Sequence, residues 1–150
     1  MKLFYYTCFL LILPAISYSQ HRYPFSRAEK SFGALKYADA IFYYNKVVRK
    51  DSLNKEAVTH LAESYYKTQQ YASALRFYEK ALQLPSPDDT CYYRYGQLLA
   101  MQGRYRESAA AYRQYLAKGR GDDNLRKTAQ LYGQGVAAFY KDTAGVKLAL

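Results

Sequence analysis

Hydrophobic and small side chains recur along this chain with a period of 34 residues. Tyrosine occupies positions 37, 71 and 105 and again positions 44, 78 and 112, while small residues occupy positions 28, 62 and 96 and positions 40, 74 and 108. Within each period the apolar residues fall at helical spacing, which predicts two amphipathic helices per period. One helix pair cannot bury its apolar face alone, so the pattern predicts an all-α stack of about three repeats.

The pattern also predicts where the helices begin and end. First helices are predicted over residues 55–68, 89–102 and 123–140, and second helices of about thirteen residues are predicted to begin at positions 37, 71 and 105. We expect N-caps at Asn54, Asp88 and Asp122, which are residue types that accept hydrogen bonds from the open amides of a helix start. Gly103 is expected to end a helix in the left-handed conformation, and Pro85 with Pro87 is expected to end the second helix of the second repeat.

The first repeat is weaker than the other two. Pro24 stands where a large apolar residue belongs, so we expect a short first helix capped by Ser26, with Glu29 three residues further on. At the other end, Val146, Leu148 and Leu150 alternate with Lys147 and Ala149. Alternation of this kind is typical of a strand, and it predicts that residues 142–150 are a tail or the start of a missing β domain.

The columns resemble the tetratricopeptide repeat (TPR) family. The second repeat carries the family pattern as Val58, Leu61-Ala62, Tyr65, Gln69, Tyr71, Ala74, Tyr78, Ala81 and Pro85, and the third carries it as Tyr92, Tyr95-Gly96, Leu99, Gly103, Tyr105, Ser108, Tyr112 and Tyr115. The resemblance implies a TPR helix–turn–helix solenoid with repeats at 20–54, 55–88 and 89–122 and a capping helix at 123–141.

The first nineteen residues have the composition of a secretory signal peptide. Lys2 precedes an almost wholly apolar run from Leu3 to Ile16, and small residues follow at Ser17 and Ser19. The run is shorter than the ~20 residues of a spanning helix, so we expect cleavage after residue 19 and no membrane span in the mature chain. Cys8 lies inside the apolar run, which argues against a lipid-bearing cysteine.

A wider resemblance concerns the signal ending in Ser19-Gln20 together with residues 37–82 and 92–116. This arrangement is similar to the N-terminal part of exported OmpA-family proteins of Bacteroidetes, some of which belong to the type IX secretion apparatus. The resemblance implies a location in the periplasm or at the periplasmic side of the outer membrane. It also implies a peptidoglycan-associated complex, although the domain that grips peptidoglycan in that family is not part of this sequence.

Residue types that carry chemistry are sparse. His21 and His60 are the two histidines, and neither has a cysteine or second histidine at metal-ligand spacing. Cys91 has no histidine near it in sequence, and Gly119-Arg120-Gly121 lacks the strand and the Gly-Lys-Ser/Thr of a phosphate loop. We therefore expect no enzyme activity, no bound metal and no cofactor.

The charge and the tyrosine content of the chain raise two further possible partners, an anionic polymer and single-stranded nucleic acid. The formal net charge is +10 at pH 7, spread along the chain, which is typical of a solvated basic surface but also suits an anionic polymer. Tyrosine with basic residues suits single-stranded nucleic acid. Seven of the tyrosines, however, occupy repeat-core columns: Tyr37, Tyr44, Tyr65, Tyr71, Tyr78, Tyr105 and Tyr112. Core packing accounts for them, and we expect no nucleic-acid partner.

The TPR resemblance implies a concave groove lined by the first helix of each repeat. The inner-face positions are Phe25, Glu29, Phe32, Thr59, Glu63, Tyr66, Lys67, Tyr93, Gln97 and Met101. TPRs that hold the C-terminal carboxylate of chaperones use lysine and asparagine on this face, where this chain has Thr59 and Glu63. Because Glu63 would repel a carboxylate, a chaperone-tail clamp is not expected.

The sequence thus predicts a non-catalytic scaffold that binds a protein or peptide partner in the groove and assembles an outer-membrane or secretion complex. The alternative is a basic module that binds anionic cell-wall or surface polymer.

Overall fold

A computed structural model describes residues 24–118 and 122–148, with side chains described as far as residue 135. Seven helices and no strands occur in these ranges. The described part of α1 covers residues 24–33, and the other helices are α2 (Tyr37–Lys50), α3 (Lys55–Lys67), α4 (Tyr71–Gln83), α5 (Asp89–Met101), α6 (Tyr105–Ala117) and α7 (Asp123–Leu148). The prediction of an all-α chain is confirmed for the residues that the structure describes. The predicted signal peptide, residues 1–19, lies outside them.

The helix bounds agree closely with those predicted from the repeat period. Helices α2, α4 and α6 begin at Tyr37, Tyr71 and Tyr105 as predicted, and α3 and α5 end one residue earlier than expected. Helix α4 ends at Gln83, just before the segment with Pro85 and Pro87. The repeat boundaries themselves stay predictions, because helix bounds do not test how the helices group into repeats.

Predictions near the two ends of the described chain differ from the structure. Ser26 cannot be an N-cap, because α1 already includes Pro24 two residues earlier, and a cap stands outside the helix it caps. Residues 142–148 are not a strand, because α7 continues to Leu148. A lone strand leaves its backbone hydrogen bonds unmade, whereas a helix makes them within its own segment, so alternation of apolar residues is not enough to form a strand here.

The predicted N-caps behave differently from one another. Asn54 accepts a hydrogen bond from the Ala57 amide at 2.9 Å through its side chain. Asp122 accepts hydrogen bonds from the amides of Asn124 and Leu125 through Oδ1. Asp88 occupies the N-cap position of α5 but makes no side-chain capping bond. The predicted caps are therefore confirmed at two of the three positions.

One column of the repeat forms the same helix-ending turn three times. Leu35, Gln69 and Gly103 all have positive φ, at 59°, 60° and 72°. In each turn the next residue donates its backbone amide five residues back, as Lys36 does to the Ser31 carbonyl at 2.9 Å. This is the Schellman arrangement, which satisfies the last open carbonyls of a helix. The left-handed conformation predicted for Gly103 is confirmed, and two non-glycine residues share it.

The described chain forms two compact units that divide between Gln70 and Tyr71. Unit 1 contains α1 to α3, and its α2 and α3 pack against each other. Its core is made of small and branched side chains around one buried tyrosine, namely Ala28, Ala40, Tyr44, Val47, Val48, Ala57, Val58, Leu61 and Ala62. The alanines let the helices approach closely, and the Tyr44 ring fills the space that remains.

Unit 2 contains α4 to α7, in which each helix packs against the next along the chain. Tyr93, Tyr112, Tyr115 and Ala129 form one buried cluster. A Cβ atom built on Gly96 would lie 3.2 Å from Tyr112 Cε1, which is closer than ordinary van der Waals contact. Glycine at this position therefore lets the Tyr112 ring pack directly against α5. The Ser108 hydroxyl donates to the Gly96 carbonyl at 2.8 Å and ties α6 to α5 at the same point. No helix in the described residues is long and apolar enough to cross a membrane.

Candidate functional site

A cluster of polar side chains joins the three helices of unit 1. Tyr44 of α2 is fully buried, and its hydroxyl donates to Glu29 Oε1 of α1 at 2.5 Å. His60 of α3 places Nδ1 3.0 Å from the same carboxylate oxygen and 3.0 Å from the Tyr44 hydroxyl. The Phe32 ring stacks on the His60 ring, with centroids 4.3 Å apart and planes 10° apart. The imidazole is therefore held on one face by an aromatic ring and at one nitrogen by a carboxylate.

The electrostatics of this cluster keep the Tyr44 phenol neutral. Burial is the largest cause that raises its pKa above the ordinary tyrosine value, followed by the hydrogen bond to Glu29 and the negative charges of Glu29 and Glu56. A phenol with a raised pKa stays a hydrogen-bond donor at all physiological pH values. Tyr44 therefore holds the Glu29 carboxylate in position without adding charge.

Glu56 brings a second carboxylate to the same place. It lies four residues before His60 on α3, so both side chains project from one side of the helix. Glu29, Glu56 and His60 each offer one atom that could ligate a metal, and these three atoms all lie within 4.8 Å of one another. From sequence spacing we expected no metal ligand at His60, because neither a cysteine nor a second histidine lies near it. Glu29 is 31 residues from His60 along the chain, so sequence spacing could not bring the two together. The four-residue spacing of Glu56 and His60 was the one signal in the sequence that pointed to this group.

The predicted inner-face residues of α3 lie on one side of that helix. Ala57, Val58, Leu61 and Ala62 are buried on the other side, while Thr59, Glu63, Tyr66 and Lys67 are at least partly exposed. Lys67 Nζ lies 3.6 Å from a carboxylate oxygen of Glu63. The Thr59 hydroxyl oxygen is buried without a hydrogen-bond partner among the described residues. This face thus presents the Tyr66 ring beside polar and charged groups.

The predicted inner-face residues of α1 have two different environments. Phe25 is partly exposed. Glu29 and Phe32, by contrast, take part in the cluster around Tyr44 and His60. Phe32 also makes edge contacts with the rings of Tyr37 and Tyr44. Glu29 and Phe32 are therefore held by contacts within unit 1.

On α5 the structure differs from the prediction at one position. Tyr93 is only 4% exposed, because its ring packs against the rings of Tyr112 and Tyr115 at centroid distances of 5.7 and 5.5 Å. It belongs to the core of unit 2 and does not line a free surface. Gln97 donates to the Tyr93 hydroxyl at 3.3 Å, and Met101 at the helix end is 60% exposed.

The seven tyrosines of the repeat columns differ in burial, and two of them, Tyr37 and Tyr65, are half-buried. Tyr44, Tyr78 and Tyr112 are buried, as predicted for core columns. Tyr71 and Tyr105, by contrast, are each 37% exposed, so the prediction that they are core residues is wrong. Both stand at the first residue of their helix, directly after the helix-ending turn, where fewer neighbours surround a side chain.

Comparisons with known proteins agree with this fold. A family model described as anaphase-promoting complex, cyclosome, subunit 3 matches residues 34–115, more than half of the chain. Among curated proteins, none matches the chain significantly.

Solved structures, two of them described as TPR domains, resemble the chain closely in fold and weakly in sequence. The second TPR domain of human RPAP3, in complex with HSP70 peptide SGPTIEEVD, is 22% identical with a TM-score of 0.65, over 80% of this chain and 97% of that one. The type III secretion chaperone SycD of Yersinia enterocolitica, in complex with a peptide of the translocator YopD, is 13% identical with a TM-score of 0.69. The match covers 81% of this chain and 95% of SycD. The Arabidopsis OM64 TPR domain is 17% identical with a TM-score of 0.65, over 79% and 94%.

At these identities the solved structures show the fold alone, while the family model covers enough of the chain to show the family. The chain therefore has a TPR fold and belongs to the family whose model is described as anaphase-promoting complex, cyclosome, subunit 3.

Proposed function

We propose that this chain binds a protein or peptide partner on the exposed face of α3, with Tyr66 as the anchor. TPR domains typically act as non-catalytic interaction modules, and two of the similar structures hold peptides. The observation that carries the proposal is the division of α3 into a buried apolar face and a partly exposed face with Thr59, Glu63 and Tyr66. Aromatic side chains surrounded by polar groups are common energetic anchors of interfaces.

The charges beside Tyr66 favour a partner segment that carries both apolar and basic side chains. Glu63 and Lys67 form an ion pair one turn apart, so the surface beside Tyr66 offers both signs of charge. A carboxylate from a partner would meet Lys67 but also Glu63, which weakens recognition of a purely acidic tail. The expected ligand is therefore an extended or helical segment that has an apolar residue for Tyr66 and at least one basic group for Glu63.

A peptide-binding measurement tests this assignment. Peptides are selected from a displayed library against the chain, and their affinities are measured by fluorescence anisotropy for wild type, Tyr66→Ala and a matched control, Phe42→Ala. Phe42 is also an aromatic residue, 56% exposed, but it lies on α2. We expect Tyr66→Ala to weaken binding about tenfold or more, as for an interface anchor, and Phe42→Ala to change it less than about twofold. Equal affinities for wild type and Tyr66→Ala would contradict the proposal.

We further propose that the partner is a cell-envelope protein, and that the chain helps to assemble an outer-membrane or secretion complex associated with peptidoglycan. The support is the signal-like segment, in which Lys2 precedes the apolar run Leu3 to Ile16, together with the resemblance to exported OmpA-family proteins. Expression with a C-terminal tag, cell fractionation and intact mass measurement test it. Periplasmic protein that begins at Gln20 is expected, and full-length protein retained in the cytoplasm would refute export.

A basic module for anionic cell-wall polymer is the second candidate. Lys46, Arg49 and Lys50 are exposed along α2, and the whole chain carries a net charge of +10. Binding to an anionic polymer such as polyglutamate would weaken steeply between low and moderate salt, because exposed charges more than about 8–10 Å apart are largely screened there. Binding anchored by Tyr66 would persist. The salt dependence of affinity therefore separates the two functions.

A further inference from the structure

The carboxylate and imidazole groups around α1 and α3 have the composition of a metal site. We infer that Glu29, Glu56 and His60 bind a divalent transition-metal ion of the Zn²⁺ class. The three residues come from two different helices, and each places one ligand-type atom within 4.8 Å of the others. Imidazole nitrogen and carboxylate oxygen are both ordinary ligands of Zn²⁺.

The distances suit a tetrahedral ion after a small movement of one side chain. His60 Nδ1 and Glu29 Oε1 are 3.0 Å apart. Two ligands bonded at about 2.0–2.1 Å in a tetrahedral site are separated by roughly 3.3 Å. The ion would replace the proton that His60 Nδ1 and Glu29 Oε1 share in their hydrogen bond, and that proton would be released to solvent. Glu56 is exposed in the first turn of α3 and is free to rotate its carboxylate toward the pair.

The charge balance of the group favours a cation. Two carboxylates face one imidazole, and the fourth neighbour, Tyr44, is a buried phenol that donates a hydrogen bond to Glu29 Oε1. Two like-charged carboxylates in one place repel each other. A divalent ion would remove that repulsion, and it would leave the protein and metal together close to neutral.

The surroundings hold the ligands in place before any ion arrives. Tyr44 donates to Glu29 Oε1, which orients the α1 carboxylate. Phe32 stacks on His60 and limits rotation of the imidazole ring. Hydrogen bonds and packing of this kind around the ligands raise metal affinity, and their loss typically weakens it about 10–100-fold.

The ligand set selects among metals. An imidazole with two carboxylates suits Zn²⁺ and its neighbours in the transition series, whereas Mg²⁺ and Ca²⁺ prefer six or more oxygen ligands. Three protein ligands leave a fourth tetrahedral position for water or for a group from another molecule. The site would therefore be of the open kind.

Isothermal titration of the full chain with Zn²⁺, and separately with Mg²⁺, tests the inference. We expect one saturable Zn²⁺ site and none for Mg²⁺. Glu56→Gln, which changes an exposed residue, should weaken Zn²⁺ binding about tenfold or more, and Tyr44→Phe should weaken it by a similar factor through loss of the hydrogen bond to Glu29. The matched control is Glu63→Gln, which removes a carboxylate of the same helix that pairs with Lys67.

Two further variants keep the outcome unambiguous. His60→Gln should abolish the saturable site, and circular dichroism of the same sample reports whether α3 is still folded. His21→Gln should leave the affinity unchanged, because it removes the other histidine of the chain. Absence of saturable Zn²⁺ binding to the wild-type chain would overturn the inference. So would affinities for Glu56→Gln and folded His60→Gln that equal that of wild type.

Discussion

Replacing Leu35 by glycine should stabilise unit 1. Leu35 has φ of 59° at the turn between α1 and α2, and its side chain is 70% exposed. The left-handed conformation costs a non-glycine residue roughly 1–2 kcal/mol. Glycine removes that cost but loses about 0.5–1 kcal/mol of backbone entropy on folding. Little buried contact is lost, so the net gain is about 0.5–1 kcal/mol in the free energy of unfolding.

Urea denaturation followed by far-UV circular dichroism measures this gain. With an m-value of roughly 2 kcal/mol/M, the midpoint should rise by about 0.3–0.5 M. Hydrogen exchange of α2 peptides assigns the gain to unit 1. Leu35→Ala is the matched control, because it removes the exposed side chain but keeps the left-handed strain, and it should not stabilise the chain. Gly103→Ala places a side chain at φ of 72° and should lower stability by about 1 kcal/mol.

Two results would contradict this prediction: a Leu35→Gly variant no more stable than Leu35→Ala, or a Gly103→Ala variant as stable as wild type. Either result would mean that the turn conformation costs these residues nothing.

Three further perturbations test the packing and hydrogen bonds of the two units. Tyr44→Phe should lower the free energy of unfolding at neutral pH by about 1.5–3 kcal/mol, because the hydroxyl bonds to a carboxylate. The wild type should begin to lose that advantage above about pH 10, by roughly 0.8 kcal/mol at about pH 10.5, since the raised Tyr44 pKa means that only the unfolded state releases the phenol proton there. Urea unfolding of wild type and Tyr44→Phe at about pH 7 and about pH 10.5 measures this change. A difference in the free energy of unfolding that is the same at both pH values would contradict the prediction. Ser108→Ala should cost about 1 kcal/mol through loss of the bond to the Gly96 carbonyl, and an unchanged urea midpoint would count against that bond. Gly96→Val should cost about 1–3 kcal/mol by forcing Tyr112 aside, whereas a thermal midpoint equal to that of wild type would show that the ring moves freely.

Local information was enough to predict where helices begin and end. The start of α4 and α6 at Tyr71 and Tyr105 follows from the repeat period. The capping bonds of Asn54 and Asp122 and the left-handed Gly103 follow from residues within a few positions of each other. Capping and turn formation depend on short-range hydrogen bonds, which is why the sequence pattern was sufficient there. The same kind of pattern failed at residues 142–148, because a strand needs a partner from elsewhere.

The candidate site was only partly predictable. Glu29, Tyr66 and Met101 were identified as inner-face positions from the family resemblance, and the structure gives each a different role or environment. Tyr93 was assigned to the same face, but it is buried against Tyr112 and Tyr115 in the core of unit 2. Repeat position predicts which face of a helix a residue occupies, but it does not predict whether large neighbouring side chains cover that residue.

By itself, the amino-acid sequence determined the helix period, the ends of α3 to α6 to within one residue or so, and the small–large alternation that lets paired helices pack, because these depend on propensity and on spacing along the chain. Only the tertiary structure decided that Glu29, Tyr44, Glu56 and His60 meet in one place. These residues lie on three helices, and whether they touch depends on the distance and rotation between packed helices. Both are set by the volumes of the buried side chains that separate them.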